Sequence, residues 1–173
     1  MDRIHSETYA ARPMTRMIVW AAAGLVLLII LLSSFVTVGP GERGVLMTFG
    51  AVHSGVLDPG LHLKLPIAQS VVTMNVQVQK SQADEQASSL DLQDVSTTIA
   101  TNWNILPADA EWVYQNIGTE DALEAKIIVP AISNVAKAVT AHYNAEELIE
   151  KRDVVRAQIE DGVRKALLPY RVV

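Results

Sequence analysis

The sequence predicts an α+β domain held behind a single membrane-spanning helix. Three observations carry that expectation. From Met17 to Val38, 22 consecutive residues contain no Asp, Glu, Lys, Arg, His, Asn or Gln. Between Val45 and Ile105 apolar residues recur with the period of two that strands require, and after Pro107 they recur with helical spacing. Strands first and helices later favour helices covering one side of a mostly antiparallel sheet.

As a helix rising about 1.5 Å per residue, the apolar run is roughly 33 Å long, enough for a hydrocarbon core of about 30 Å. Met17, Trp20, Leu25, Leu28, Ile30, Leu32 and Phe35 are its anchoring residues. A cleaved secretory signal is the competitor. The run exceeds the roughly 7 to 15 residues of a signal core, and Ser33-Ser34-Phe35-Val36-Thr37 offers no A-x-A cleavage pattern, which favours an uncleaved anchor over residues 17–38. Arg3, Arg12 and Arg16 precede the helix, whereas only Arg43 follows it closely. By the positive-inside rule residues 1–16 are cytoplasmic, and the main domain lies on the periplasmic or extracytoplasmic side of a single-pass membrane. Gly24 is followed four residues later by Leu28, so there is no GxxxG signal for helix pairing.

Gly39-Pro40-Gly41-Glu42-Arg43-Gly44 is a short breaker-rich joint that keeps the first folded elements against the bilayer. Val45, Met47 and Phe49 mark a strand ending at Gly50, Ser54 to Gly60 reads as a loop with a Pro-Gly turn, and Leu61, Leu63 and Leu65 mark a return strand stopped by Pro66. These two are expected to pair. Met74, Val76 and Val78 give a third strand, Ser81–Ser89 a polar loop or hairpin arm, and Val95, Thr97, Ile99, Thr101, Trp103 and Ile105 a long strand. Pro107 opens a short helix that Gly118 ends. Thr119 caps a second helix, which Pro130 should kink or split. Asn144 and Glu147 form an N-cap pair for a third helix through Leu148, Val155, Ile159 and Val163, its last turn weakened by Gly162. Leu167–Val173 reads as a helix end and the start of another strand.

The chain carries a net charge of −5, with nine acidic residues and no Lys or Arg between Asp84 and Glu124, a surface that repels phosphate backbones. Nucleic acid is excluded as a partner. No cysteine is present, which removes disulfides, thiol nucleophiles and CxxC sites. Gly39–Gly44 matches GxGxxG literally, but that motif must join a buried strand to a helix, and here it joins a membrane span to a strand. His5, His53, His62 and His142 are scattered, without metal-ligand spacing. His53, Ser54 and Asp58 could form a triad only by chance, within a loop that lacks a rigid frame. No cofactor, metal or catalytic residue is expected.

Two interaction features remain. Val56-Leu57 and Leu65-Pro66-Ile67 are apolar turns that either dip into the outer leaflet or pack in the core. Around residue 150, Glu147 and Lys151 are an attractive pair at helical spacing and Arg152 and Arg156 a repulsive one. With Glu150 they form either a solvated face or a subunit contact in which a neighbouring copy supplies acids.

The runs VGPGERGVLMTFG, GVLDPGLHLKLP, DLQDVSTTIATNWNI and IVPAISNVAKAVTAHYNAEELIEKRDVV, in that order, resemble the prohibitin branch of the SPFH (band 7) family. Gly41, Gly44, Gly50, Pro59, Gly60, Pro66, Asp94, Pro130, Ala145, Glu147, Leu148 and Arg152 carry the likeness. The resemblance implies a two-lobe SPFH module, here a membrane-proximal β-rich lobe over 39–90 and an α/β lobe over 91–173, usually continued by a long coiled coil. It further implies side-by-side assembly into rings or cages that corral membrane lipids and in some members enclose AAA proteases. The chain departs from the pattern at its end, where the last strand is barely begun and no coiled-coil tail follows. A strand cut there would leave a sheet edge unpaired, so a longer product is expected. The leading reading is a non-enzymatic, self-assembling membrane scaffold; the alternative is a regulatory subunit of one membrane protease or channel.

Overall fold

The computed structural model describes residues 12–173; of the expected cytoplasmic segment, residues 1–11 with Arg3 lie outside the described residues. The apolar run forms helix α1 over Arg12–Ser33, and its Arg16–Ser33 part, with mean hydropathy 2.3 and no residue buried, is long and apolar enough to cross a membrane. The helix stops five residues before the expected end at Val38. The Ser33 and Ser34 hydroxyls both donate back to the Ile30 carbonyl, at 2.9 and 3.0 Å, and the β-branched stretch that follows enters a sheet instead. Phe35–Val38 is strand β1, so Phe35 does not belong to the helix that was expected to carry it.

Six further strands follow, β2 (Glu42–Thr48), β3 (Ala51–Leu57), β4 (Gly60–Leu63), β5 (Gln69–Asn75), β6 (Gln79–Ser88) and β7 (Asp94–Trp103). All pairings are antiparallel. β2 is central in a β3-β2-β5 sheet, β4 pairs with β1 with Leu63 opposite Phe35, and β6 pairs with β7 along ten residues. The return strand therefore closes on the strand that follows α1, not on β2 as expected. The reason is that the expected loop at Ser54–Gly60 is strand as far as Leu57, and this strand, β3, takes the place beside β2. Gly44 joins the two sheets: a Cβ there would lie 3.0 Å from atoms of Val38, Leu57 and Val71, so only glycine lets β1 lie this close over β2.

After a 3₁₀ turn at Pro107–Asp109 come helices α2 (Ala110–Asn116), α3 (Glu120–Leu123), α4 (Val129–Thr140), α5 (Ala145–Glu150) and α6 (Arg152–Leu167). Pro130 does not split the second helix. Residues Glu124–Ile128 form a wide π turn linking α3 to α4, closed by Val129 N–H on the Glu124 carbonyl, and Pro130 sits in the first turn of α4, where a missing N–H is tolerated. The expected third helix is two, broken at Lys151. The last residues run beside Asn104, whose backbone exchanges hydrogen bonds of 2.9 and 3.0 Å with Val173, as the expected start of a strand requires.

One continuous core links every layer: Val45 and Met74 from the first sheets, Trp103 and Ile105 from β7 and its extension, Val113, Leu123, Ile128 and Ile132 from the helices, and Val163, Leu167 and Val172 from the end. A division at residues 90 and 91 would cut the β6–β7 hairpin through its turn; the sheets change instead at residues 76–78.

Candidate membrane and self-association surfaces

Around the end of α1, the chain turns apolar side chains outward. Lys64 N–H donates to the Ser34 carbonyl at 2.8 Å, fixing the end of β4 to the end of the helix. The next loop is closed on itself, with Leu65 N–H donating to Gln69 Oε1 at 2.7 Å and Gln69 N–H to the Leu65 carbonyl at 2.8 Å. Phe49 N–H then donates to the Ala68 carbonyl at 2.8 Å, bringing the β2–β3 turn beside the loop. Ile67 is 94% exposed and Phe49 83% exposed, and Phe35, Leu61, Leu63 and Leu65 are exposed with them. Ile67 (φ +74°) and Phe49 (φ +48°) both occupy left-handed backbone. An apolar, β-branched or bulky residue at positive φ costs free energy, and so does leaving it in water. Both costs fall on the same two residues, near the end of the apolar helix α1.

Of the expected dipping turns, Leu65 and Ile67 lie on this surface, whereas Val56 and Leu57 do not. They belong to β3, where Val56 sits opposite Val45 and packs on the core and Leu57 lies against Gly44. Met17, Trp20, Leu25, Leu28, Ile30 and Leu32 stand exposed along α1. In the sequence Phe49, Leu61 and Leu63 read as strand positions and not as part of an exposed apolar surface. Leu61 and Leu63 alternate as a buried strand face does, and nothing local says that the apolar medium is outside the protein.

The second surface is the corner between α5 and α6. Glu147 accepts from Asn144 N–H at 3.2 Å and pairs with Lys151 Nζ at 2.6 Å, the expected capping contact and ion pair. The Lys151 hydrogen bond first, then the Asn144 N–H, hold the Glu147 carboxyl below its ordinary pKa, and Glu147 in turn raises the Lys151 ammonium above its own. Glu147 is thus engaged within its own chain. Glu150, Arg152 and Arg156 are exposed, and none of them enters a salt bridge among the described residues. Ile149, 80% exposed, stands among them.

Two open concavities lie elsewhere among the described residues: a groove of about 570 Å³ between the first sheet and α2, lined by Met47, Ala51, Val52, Tyr114, Gln115 and Thr119, with no carboxylate or histidine on its walls, and a hollow of about 270 Å³ on the β6–β7 hairpin, lined by Asp84, Glu85, Gln86, Ser96, Thr97 and Thr98. His53 and Ser54 are exposed on β3, and the Asp58 carboxylate faces Arg43 at 3.5 Å. The histidine that reaches Asp58 is His62, not His53, and its Nε2 lies 2.6 Å from the Asp58 carbonyl oxygen. Of the Gly39–Gly44 segment, residues 39–41 join β1 to β2 and residues 42–44 already belong to β2, so the GxGxxG match joins strand to strand.

A match to the SPFH domain / Band 7 family covers residues 36–173. The chain belongs to this family. Prohibitin-4, a mitochondrial protein of Arabidopsis thaliana, is 30% identical over 142 residues, covering 81% of this chain and 50% of the relative. Prohibitin-1 of Schizosaccharomyces pombe is 31% identical over 132 residues, 75% of this chain and 46% of the relative. Mitochondrial prohibitin complex protein 1 of Caenorhabditis elegans is 29% identical over 127 residues, 72% of this chain and 45% of the relative. This SPFH chain spans about half the length of the curated relatives it matches. The mixed α/β fold behind one apolar N-terminal helix fits an SPFH, prohibitin-like family member.

Proposed function

We propose that the chain is a membrane-anchored scaffold that assembles laterally with copies of itself into a large ring or cage, organising a patch of membrane. α1 crosses the bilayer with the N-terminus in the cytoplasm, and the SPFH domain stands on the periplasmic or extracytoplasmic side, its Phe49, Leu65 and Ile67 dipping into the adjacent leaflet. The observation that carries this reading is the exposed apolar surface hydrogen-bonded to the end of α1. An anchor plus a dipping surface fixes both the height and the tilt of the domain, and copies held at one height in two dimensions meet at high effective concentration. A relative named as part of a prohibitin complex supports assembly. Membrane proteins enclosed by such a fence, a membrane-anchored AAA protease among them, would have their access to substrate regulated; the chain itself performs no chemistry.

Sizing of the full-length protein in mild detergent tests the proposal. A particle of many copies is expected. A monomer bound to one membrane protease or channel would replace the scaffold with a regulatory subunit, and turnover abolished by His53→Ala or Ser54→Ala would replace it with an enzyme. For sidedness, digestion of the SPFH domain from the cytoplasmic face of sealed vesicles would invert the orientation.

A further inference from the structure

The β2–β3 hairpin turns on two residues, Phe49 and Gly50, with Thr48 paired to Ala51 across it. Both central residues are left-handed (φ +48° and +83°), the pattern of a type I′ turn, whose first position is usually asparagine, aspartate or glycine. This turn holds phenylalanine there, and Phe49 N–H on the Ala68 carbonyl ties it beside the 65–69 loop. The groove of about 570 Å³ begins at the same turn. Gly50 lines it, and a Cβ added at Gly50 would stand in open space. The walls are pinned across the groove at two points: Glu111 in the first turn of α2 accepts from Gly55 N–H of β3 at 2.7 Å, and Glu120 at the start of α3 accepts from Asn75 N–H of β5. Strands and helices held in this way do not close the groove by sliding together.

The floor of the groove is half-buried Met47, Val52 and Tyr114, the last two packed against the core, and its rim is exposed Gly50, Ala51, Gln115 and Thr119. None of the eight residues lining it is charged, in a chain of which 19% is charged. An ion would leave water there without a partner, whereas an apolar ligand loses nothing. The polar groups present, on Tyr114, Gln115 and Thr119, are neutral donors, which suit an ester carbonyl. Resting on the reading that Phe49 dips into the adjacent leaflet, we infer that this groove seats one acyl chain of a lipid from that leaflet. The mouth at Phe49 and Gly50 is continuous with the exposed apolar surface at the end of α1, so a chain entering there passes from hydrocarbon to an apolar floor without crossing water. The volume lies within the range of about 300–1,000 Å³ typical of small-molecule sites. A lipid held this way is a second, non-covalent tether between the domain and the bilayer.

The test is photolabelling of the full-length protein in phosphatidylcholine liposomes that contain a phosphatidylcholine with a diazirine at the end of one acyl chain, the labelled residues being read by peptide mass spectrometry. Label is expected on Val52 and Tyr114 as well as on α1 and Phe49. Ala51→Trp fills the groove from a strand position that suits tryptophan, and Thr119→Trp fills it from the opposite wall, where the threonine side chain makes no capping bond. Each should cut the label on Val52 and Tyr114 by about tenfold or more, with the label on α1 and the melting temperature unchanged. Label on α1, Phe49 and Ile67 but not on Val52 or Tyr114 would overturn the acyl seat and leave the dipping surface standing. Label on α1 alone would overturn both. Groove label that neither tryptophan reduces would show that the chain reaches those residues by another path and would overturn the seat. An unlabelled groove together with a smaller detergent particle for Ala51→Trp would give the groove to a second copy instead of a lipid.

Discussion

Trp103 Nε1 donates to Ser81 Oγ at 2.7 Å inside the core, diagonally across the β6–β7 ladder. Both residues are buried, and among the described residues the indole N–H has no other acceptor. Ser81→Ala should therefore cost about 1–3 kcal/mol, the penalty for a buried donor left unpaired, rather than the smaller net value of an ordinary hydrogen bond. Chemical denaturation of the solubilised protein measures it. In a Trp103→Phe background the same substitution should be nearly free; equal costs in both backgrounds would show that the bond contributes nothing specific.

Gly162 of α6 faces Val135 of α4 so closely that a Cβ would lie 2.6 Å from Val135 Cγ1. Alanine is the better helix former by about 1 kcal/mol, but forcing a methyl against a stiff β-branched neighbour costs about 1–3 kcal/mol. Gly162→Ala should be net destabilising in the native protein and neutral or stabilising once Val135 is alanine. Thermal unfolding of the four combinations reads the change of sign.

Asp91 couples the hairpin turn to α5. The Ser89 hydroxyl first, then the Ala145 N–H, hold its carboxyl below the ordinary range, with desolvation opposing. A carboxyl whose pKa is depressed on folding stabilises fully above its unfolded value of about 3.9, and that contribution disappears as pH falls through the folded value. Hydrogen exchange at Leu90 and Ala145 should therefore accelerate relative to the core only below about pH 4, and Asp91→Asn should remove this pH dependence. Loosening that begins near neutral pH would assign the junction to another group.

Much of this architecture was legible because period and capping are local. The alternation from Val95 to Trp103 is β7, and the Glu147 side chain returns to Asn144 N–H as the spacing foretold. What escaped depends on distant partners. Ser81, Ala83, Glu85 and Ala87 read as a polar stretch, yet all four are buried because α4 lies close over β6, where only small or satisfied groups fit. Glu85 is accommodated by the Ser133 hydroxyl at 2.7 Å and by Lys137 at 3.7 Å. Likewise Gly162 looked like a weak helical position, and its use appears only with Val135 above it. The end of α1 at Ser33 depends on β4, some thirty residues downstream, offering Phe35–Val38 a strand to join. For the two candidate surfaces, apolar residues were visible, but whether Val56 and Ile67 face core or solvent was decided by strand order.

The last prediction turns on opposite signs. Ile67 and Phe49 sit in left-handed backbone, a conformation that costs about 1 kcal/mol or more for a side chain and nothing for glycine. Ile67→Gly and Phe49→Gly should each therefore raise the stability of the detergent-solubilised protein by a fraction of that amount, since glycine also loosens the unfolded chain. If these side chains dip into the leaflet, the native residues gain about 1.5–3 kcal/mol each on leaving water, which outweighs the strain and explains its retention. The same glycine variants should then weaken the hold on lipid. A nitroxide on Leu65→Cys, placed in liposomes, should be more accessible to oxygen than to a polar nickel chelate in the native background, and should lose that preference with both glycines present. Stability lowered by the glycines would mean that Ile67 and Phe49 support the fold. Stability raised with the nitroxide's depth unchanged would mean that the surface does not enter the bilayer.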